Sequence, residues 1–237
     1  MILYVLTFIL IFVLLLVLYI IIYKSNKLNK FNNNFENEIP VYLVSMEKDI
    51  ERRNNLLKYV TPNEYSSVDG SKLLSIKTLK KENIIEKEDI KKGEIGCFLS
   101  HYNIFNKIKN YNDSYSIIIE DDVEFDIKKN INIIKDVVNN APLDWEIIFI
   151  GHNYYEETEQ KDNYKFNEYT FKKIKRVFGT QSYIINNKAI SSKIQQLLPI
   201  KGPIDIILPS IFISYIIEPQ LTNLSNFGGI SNTQGIN

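Results

Sequence analysis

A single cysteine, Cys97, stands in a chain of 237 residues. No internal disulfide framework is therefore available, and no cysteine pair has the spacing of a zinc site. Histidine is nearly as scarce, with two copies, fewer than a metal-dependent phosphohydrolase ordinarily uses beside its aspartates. Net charge is absent as well: 28 lysines and arginines balance 28 aspartates and glutamates, which removes the global field expected of a nucleic-acid binder. Any charge-driven recognition must be local. No Gly-x-Gly-x-x-Gly, Walker A, His-Glu-x-x-His or Gly-x-Ser-x-Gly pattern occurs, which excludes several common enzyme classes. There is no internal repeat.

Charge is missing most conspicuously from residues 2–23, ILYVLTFILIFVLLLVLYIIIY, and about 20 such apolar residues cross a bilayer core as a helix. A cleaved signal peptide fits less well, because no basic region precedes the run and no small-residue cleavage site follows it. Residues 1–23 are expected to be a transmembrane anchor. The Asn-rich stretch SNKLNKFNNNFENE that follows has no apolar period, so residues 24–39 are expected to be a flexible stem. Lys24, Lys27 and Lys30 place the domain on the cytoplasmic side by the positive-inside rule. A lumenal domain behind the same anchor is the alternative, with which the sequons at Asn112 and Asn223 are compatible. Residues 40–237 are long enough for one domain with a sizeable core.

Within that domain, short apolar runs alternate with amphipathic stretches of helical length. VYLVS (41–45) predicts a strand and EKDIERRNNLLKYV a charged helix behind it. In GEIGCFLSHYNIFNKI (93–108), Ile95, Phe98, Leu99, Tyr102, Phe105 and Ile108 recur at helical spacing. YSIII predicts the next strand, IKKNINIIKDVVNN (127–140) a helix, and WEIIFIG (145–151) a buried central strand. GTQSYIINNKAI predicts a further strand leading into a helix that Pro199 stops. This alternation argues for an α/β layer structure with a largely parallel sheet, in which ligands bind beyond the carboxyl ends of the strands.

YSIIIEDDVEFD puts five carboxylates, Glu120, Asp121, Asp122, Glu124 and Asp126, at one such end. Packing gives no reason to cluster like charges, since each raises the cost of ionising the next. On an extended backbone Glu120 and Asp122 point one way and Asp121 the other, and two hard oxygens on one side suit Mg²⁺ or Mn²⁺ with a diphosphate. A solvated acidic turn is the plain alternative. Glu94, Ser100 and His101 sit toward the front of the 93–108 helix, where free amides favour anionic groups, although His101 also reads as a core histidine and Cys97 as a packed thiol. Arg52 and Arg53 could clamp a phosphate or solvate a helix face. Asp69 in VDGSKL fits a nucleotide-contacting turn or an ordinary one. Asp205 in GPIDIIL is a lone acid among prolines and branched aliphatics, which must be hydrogen-bonded or functional; it is the candidate general base.

Taken in order, VYLVSMEKDIERR, SSVDGSKL, KKGEIGCFLSHYNIF, YSIIIEDDVEF, WEIIFIG, GTQSYIINNKAI, PIDIIL and EPQL resemble glycosyltransferase family 25, the lipooligosaccharide-biosynthesis and procollagen galactosyltransferase family. The resemblance covers nearly all of residues 40–221. It implies a GT-A fold, Rossmann-like with a mostly parallel sheet flanked by helices, here behind an N-terminal transmembrane helix. It also implies inverting transfer of galactose or glucose from a UDP-sugar to a glycan, lipid-linked or protein acceptor. Glu120-Asp121-Asp122 would be the DxD-like motif, with Asp122 on Mn²⁺ (or Mg²⁺) and with Glu120 and Asp121 orienting ribose or donor sugar. Arg52, Asp69, Glu94, Ser100 and His101 match family positions near the donor. The family usually has Asn-Leu where Ser45-Met46 stand. A catalytically inactive glycan-binding or scaffold protein of the same fold is the competing reading.

Overall fold

The computed structural model of the chain describes residues 39–110, 114–159 and 163–225. The expected anchor and stem, up to Glu38, and the C-terminal tail from Asn226 lie outside them. No helix of the described residues is long and apolar enough to cross a membrane.

The first half of the domain pairs strands in parallel. β1 (Val41–Val44) leads through α1 (Ile50–Leu56) to β2 (Glu64–Ser66), and then through α2 (Ile76–Lys81) and α3 (Lys92–Ile108) to β3 (Tyr115–Glu120). α1 is shorter than the charged run suggested, because residues 46–49 form a loop that Arg53 holds by donating to the carbonyls of Met46 and Glu47 at 3.1 and 3.3 Å. After the short β4 (Val123–Glu124) come α4 (Ile127–Asn140), β5 (Ile147–Gly151), β6 (Tyr154–Glu157), β7 (Asn163–Phe166), β8 (Tyr169–Phe178) and β9 (Ser182–Asn186). α5 (Asn187–Lys193), α6 (Ile204–Ile211), β10 (Ser214–Glu218) and β11 (Asn223–Leu224) complete the described elements.

The main sheet has the order β2-β1-β3-β9-β5-β10-β8-β6, with β7 also on β8. From β2 to β10 every strand points the same way except β9, which runs against both its neighbours. The sheet is therefore mixed but mostly parallel at its centre. Beyond β10 it turns antiparallel through β8, a half that the apolar runs alone did not announce. The strand ends are level: Val44 pairs with Ser66 on one side and Glu120 on the other, so the carboxyl edge collects Ser45, Ser67 and Glu120.

α3 explains how that edge is closed. Its buried side carries Ile95, Phe98, Ile104, Phe105 and Ile108 into the core, and Ser100 and His101 with them. At roughly 1.5–3 kcal/mol for each large apolar side chain removed from water, packing rather than propensity fixes this helix. Its first turn meets the 68–70 turn backbone to backbone. A Cβ on Gly96 would lie 2.6 Å from the Val68 carbonyl, and one on Gly70 2.3 Å from the Lys92 carbonyl. Ser100 Oγ completes the junction, accepting from Val68 N–H at 2.8 Å and donating to the Gly96 carbonyl at 2.8 Å.

Gly96→Ala is consequently expected to lower stability by about 1–3 kcal/mol. An open helix interior would instead gain up to about 1 kcal/mol from the same change. The midpoint of denaturant unfolding reads the sign, and a raised midpoint would contradict the close approach.

Candidate active site

Beyond β3 the chain leaves the strand at Glu120, and the alternation of side chains stops there. Asp121 and Asp122 lie in a turn, so both reach the guanidinium that α1 supplies. Arg52 Nη2 lies 2.9 Å from Asp121 Oδ1 and 3.3 Å from Asp122 Oδ2. All three are largely enclosed, with side-chain exposures of 17%, 7% and 22% in that order. One cation for two buried carboxylates is an incomplete balance. Burial raises Asp121, partly offset by the Ser45 hydroxyl and Arg52. Burial and then the Glu120 charge push Asp122 up to about 7, against the pull of Arg52. Asp122 Oδ1 is buried with no hydrogen-bond partner among the described residues, a hard oxygen facing no donor.

Glu120 turns the other way. Thr180 donates to its Oε1 at 2.5 Å, and His101 Nε2 stands 3.3 Å from the same atom. His101 is fully buried, and its Nδ1 lies 2.7 Å from the Tyr183 hydroxyl. The two ring nitrogens thus face one partner each, Glu120 at Nε2 and the Tyr183 hydroxyl at Nδ1. Burial pulls the Glu120 carboxyl up, but His101, Thr180 and Arg52 outweigh it and hold the group below its usual range. The chain thus sets two adjacent acids apart, one kept ionised and one reluctant.

Cys97, His101 and Glu120 bring one ligand atom each to within 4.8 Å of one another, a possible metal-binding triad. Burial, ahead of the nearby carboxylates, raises the Cys97 thiol well above its usual value, and both His101 nitrogens already have partners. Sulfur with imidazole suits a softer ion than a diphosphate recruits. The unpartnered Asp122 oxygen beside Asp121 fits Mn²⁺ or Mg²⁺ better.

Arg52, Ser100, Glu120, Asp121 and Asp122 line one cleft of about 90 Å³ with Ser45, Asp49, Ser67 and Gly93. Asp69 lines an adjoining, more open space of about 520 Å³, joined to the first through Met46 and Ser67. Together they offer room on the scale of a nucleotide-sized ligand, roughly 300–1,000 Å³. Asp69 itself caps the 70–72 turn, and hydrogen bonds from the Ser71 hydroxyl and amide hold its carboxyl low. Glu94 accepts from Lys91 N–H at 3.0 Å and closes the first turn of α3. His101 stands behind Glu120, not in the cleft wall. Asp205 opens α6, where its two oxygens accept from Gly179 N–H at 3.1 Å and Ile206 N–H at 2.9 Å; burial raises it, with these bonds pulling back. Thr180 and Tyr183 were not foreseen. Their signal lay in the direction of β9, which brings its first residues to the carboxyl edge.

The Asp122 carboxyl has a testable consequence for the metal-free protein. A carboxyl raised from 3.8 to about 7 binds more protons folded than unfolded, so stability falls as pH rises across that window. The loss is about 4 kcal/mol at most. The expected result is that Asp122→Asn unfolds with a shallower decline than the unaltered chain between pH 4 and 7; parallel curves would refute the assignment.

The fold and the cleft define an α/β protein with a cleft at the carboxyl edge of a largely parallel sheet, walled by acids and one arginine. Residues 38–208 match glycosyltransferase family 25 (LPS biosynthesis protein), and the chain belongs to that family. It is 27% identical over 200 residues to procollagen galactosyltransferase 1 of Danio rerio, covering 77% of this chain and 33% of that protein. It is 32% identical over 127 residues to procollagen galactosyltransferase 2 of Homo sapiens, covering 47% of this chain and 20% of that one. A Bos taurus relative, 29% identical over 126 residues and covering 47% of this chain and 21% of its own length, bears the name probable inactive glycosyltransferase 25 family member 3. The chain thus spans a third or less of these relatives.

Proposed function

We propose that the chain is a hexosyltransferase of GT-A type that moves galactose or glucose from a UDP-sugar to a glycan, lipid-linked or protein acceptor, tethered by the anchor expected at residues 1–23. The observation that carries this is the buried, unpartnered Asp122 Oδ1 at the carboxyl edge, beside the Arg52–Asp121 pair. The names of the animal relatives favour galactose.

In this reading Asp122 holds Mn²⁺ or Mg²⁺, and the ion when bound neutralises charge on the diphosphate leaving group. Arg52 shares that task through its planar donors. Ser67 and Asp69 flank the space for the nucleoside. Glu120, kept ionised by His101 and Thr180, accepts hydrogen bonds from hydroxyls of the donor sugar. Asp205 takes the proton of the acceptor hydroxyl as that oxygen bonds to C1, and the C1–O bond to UDP breaks with its electron pair going to the diphosphate. A single displacement inverts the anomeric carbon.

Purified chain incubated with a panel of UDP-sugars, with Mn²⁺ and with chelator, tests the reading through UDP release. Metal-dependent release from one hexose donor is the expected result. Donor binding without any release would favour an inactive glycan-binding protein, a reading supported by the name of the bovine relative.

A further inference from the structure

After β10 the chain crosses back over the carboxyl edge. Leu221 and Thr222 both donate their N–H to the Ile150 carbonyl, at 2.9 and 3.2 Å, and the Gln220 side chain accepts from His152 N–H at 2.9 Å. β11 then pairs antiparallel with β4, Asn223 opposite Glu124 and Leu224 opposite Val123. The crossing finishes on the acidic turn itself, where Ser225 N–H donates to the Asp122 carbonyl at 2.8 Å. Little apolar area holds it down. From Pro219 to Leu224 only Thr222 is buried, and Leu224 is 51% exposed. A segment with so few buried contacts opens or stays closed according to its polar anchors.

Thr222 is the buried anchor. Its hydroxyl lies 2.6 Å from Ser182 Oγ, one donating to the other, and both residues are shut off from solvent. Gly151 makes the room: a Cβ there would overlap the Thr222 hydroxyl and stand 2.6 Å from Ser182 Oγ. Ser182 opens β9 opposite Ile119 of β3, and Gln181 before it accepts from Glu120 N–H at 2.8 Å. The acidic turn is thus held from two sides, at Glu120 by β9 and at Asp122 by the crossing segment. The Thr222–Ser182 bond joins the two holds.

We infer that Thr222 is a positioning residue for Asp122, fixing through Ser182, β11 and Ser225 N–H the place where that carboxylate meets a divalent cation. The inference rests on the proposed role of Asp122. Asp122 Oδ1 has no partner among the described residues, and Arg52 reaches the other oxygen at 3.3 Å, so the backbone of the turn decides where Oδ1 stands. Mg²⁺ asks for oxygens at about 2.0–2.1 Å in near-octahedral array, which a ligand free to wander by more than about 0.5 Å does not supply. Partners that orient a ligand in this way account for roughly 10–100-fold in metal affinity.

Mn²⁺ and Mg²⁺ titrated into the full chain without nucleotide, and read by calorimetry, test the role apart from turnover. Thr222→Val removes the hydroxyl at nearly constant volume and is expected to weaken ion binding roughly tenfold, while Thr222→Ser, which keeps the hydroxyl, retains it. Ile190→Val separates positioning from stability. Ile190 is fully buried in α5, whose first residue donates its N–H to the Ser114 carbonyl at the opposite edge of the sheet. That change is expected to lower the thermal midpoint and leave ion affinity unmoved. Should Thr222→Val fail to fold, Ser182→Ala breaks the same bond from its other end, and a weakened ion affinity is again the expected result. Undiminished affinity in the variant that folds, or an equal loss in Thr222→Ser, overturns the positioning role and leaves Asp122 as the ion's ligand. An unaltered chain that binds neither ion overturns the role of Asp122 and that of Thr222 with it.

Discussion

Asp122→Ala is expected to reduce UDP release from a hexose donor by about 10²–10³-fold, the scale on which removal of one preorganised charge partner acts. The same change should weaken Mn²⁺ binding measured by calorimetry, which reads the site without turnover. Destabilisation offers no alternative explanation of such a result. Arg52 keeps Asp121 at 2.9 Å when Asp122 is gone, and the carboxyl removed is one that burial and Glu120 disfavour. The variant should therefore be as stable as the unaltered chain near neutral pH, or more so. Two like charges held around a single guanidinium lower the stability of the metal-free fold while preparing it to receive a cation. A variant that loses transfer together with its thermal midpoint would point to structure instead, and one that transfers normally would remove Asp122 from the site.

The carboxyl edge was legible because its elements are local. VYLVS, YSIII and WEIIFIG are buried apolar runs with few alternatives to a central strand, and they became β1, β3 and β5 at nearly the expected bounds. The helix over 93–108 followed from its period, extended by one residue at Lys92. What failed to show was the antiparallel half. YTFKKIKRVF, now β8, buries Tyr169, Phe171, Ile174 and Val177 and leaves lysines between them. Those spacings of two, three and three depart from the strict alternation of a strand with one wet face, because the register shifts opposite Glu156 and Glu157, so no strand period marked the segment. Within the site, residue types were readable and pairings were not. Glu120 and Asp122 were expected on one side because an extended backbone alternates; the strand ends at Glu120, Asp121 and Asp122 lie in a turn, and Arg52 gathers those two instead. Thr180 and Tyr183 reach Glu120 and His101 from 60 or more residues away, across a pairing that no local pattern encodes.

Asp205→Asn should retain UDP binding and lose about 10²–10⁴-fold in transfer, the usual contribution of a general base. Its position makes the experiment demanding, since the carboxylate also ties the β8–β9 turn to α6 through Gly179 and Ile206. Each oxygen accepts one backbone N–H and keeps a second lone pair, so the group can take a proton without releasing the turn. Asparagine supplies one acceptor oxygen where two are used, and some loosening at Gly179 is expected. The pH profile separates the two roles. Burial raises Asp205, with Glu120 adding to it after the backbone bonds pull back, so a base at this position gives a rate that climbs as pH rises through its titration. In Asp205→Asn that limb should vanish while UDP affinity holds. If the residue only tethers the turn, the limb persists in the variant at reduced amplitude and UDP affinity falls with it, because Thr180 on the same turn would release Glu120. Glu120 then loses one of the partners that hold its carboxyl low, His101 and Arg52 being the others, and the donor and acceptor halves weaken together rather than one after the other.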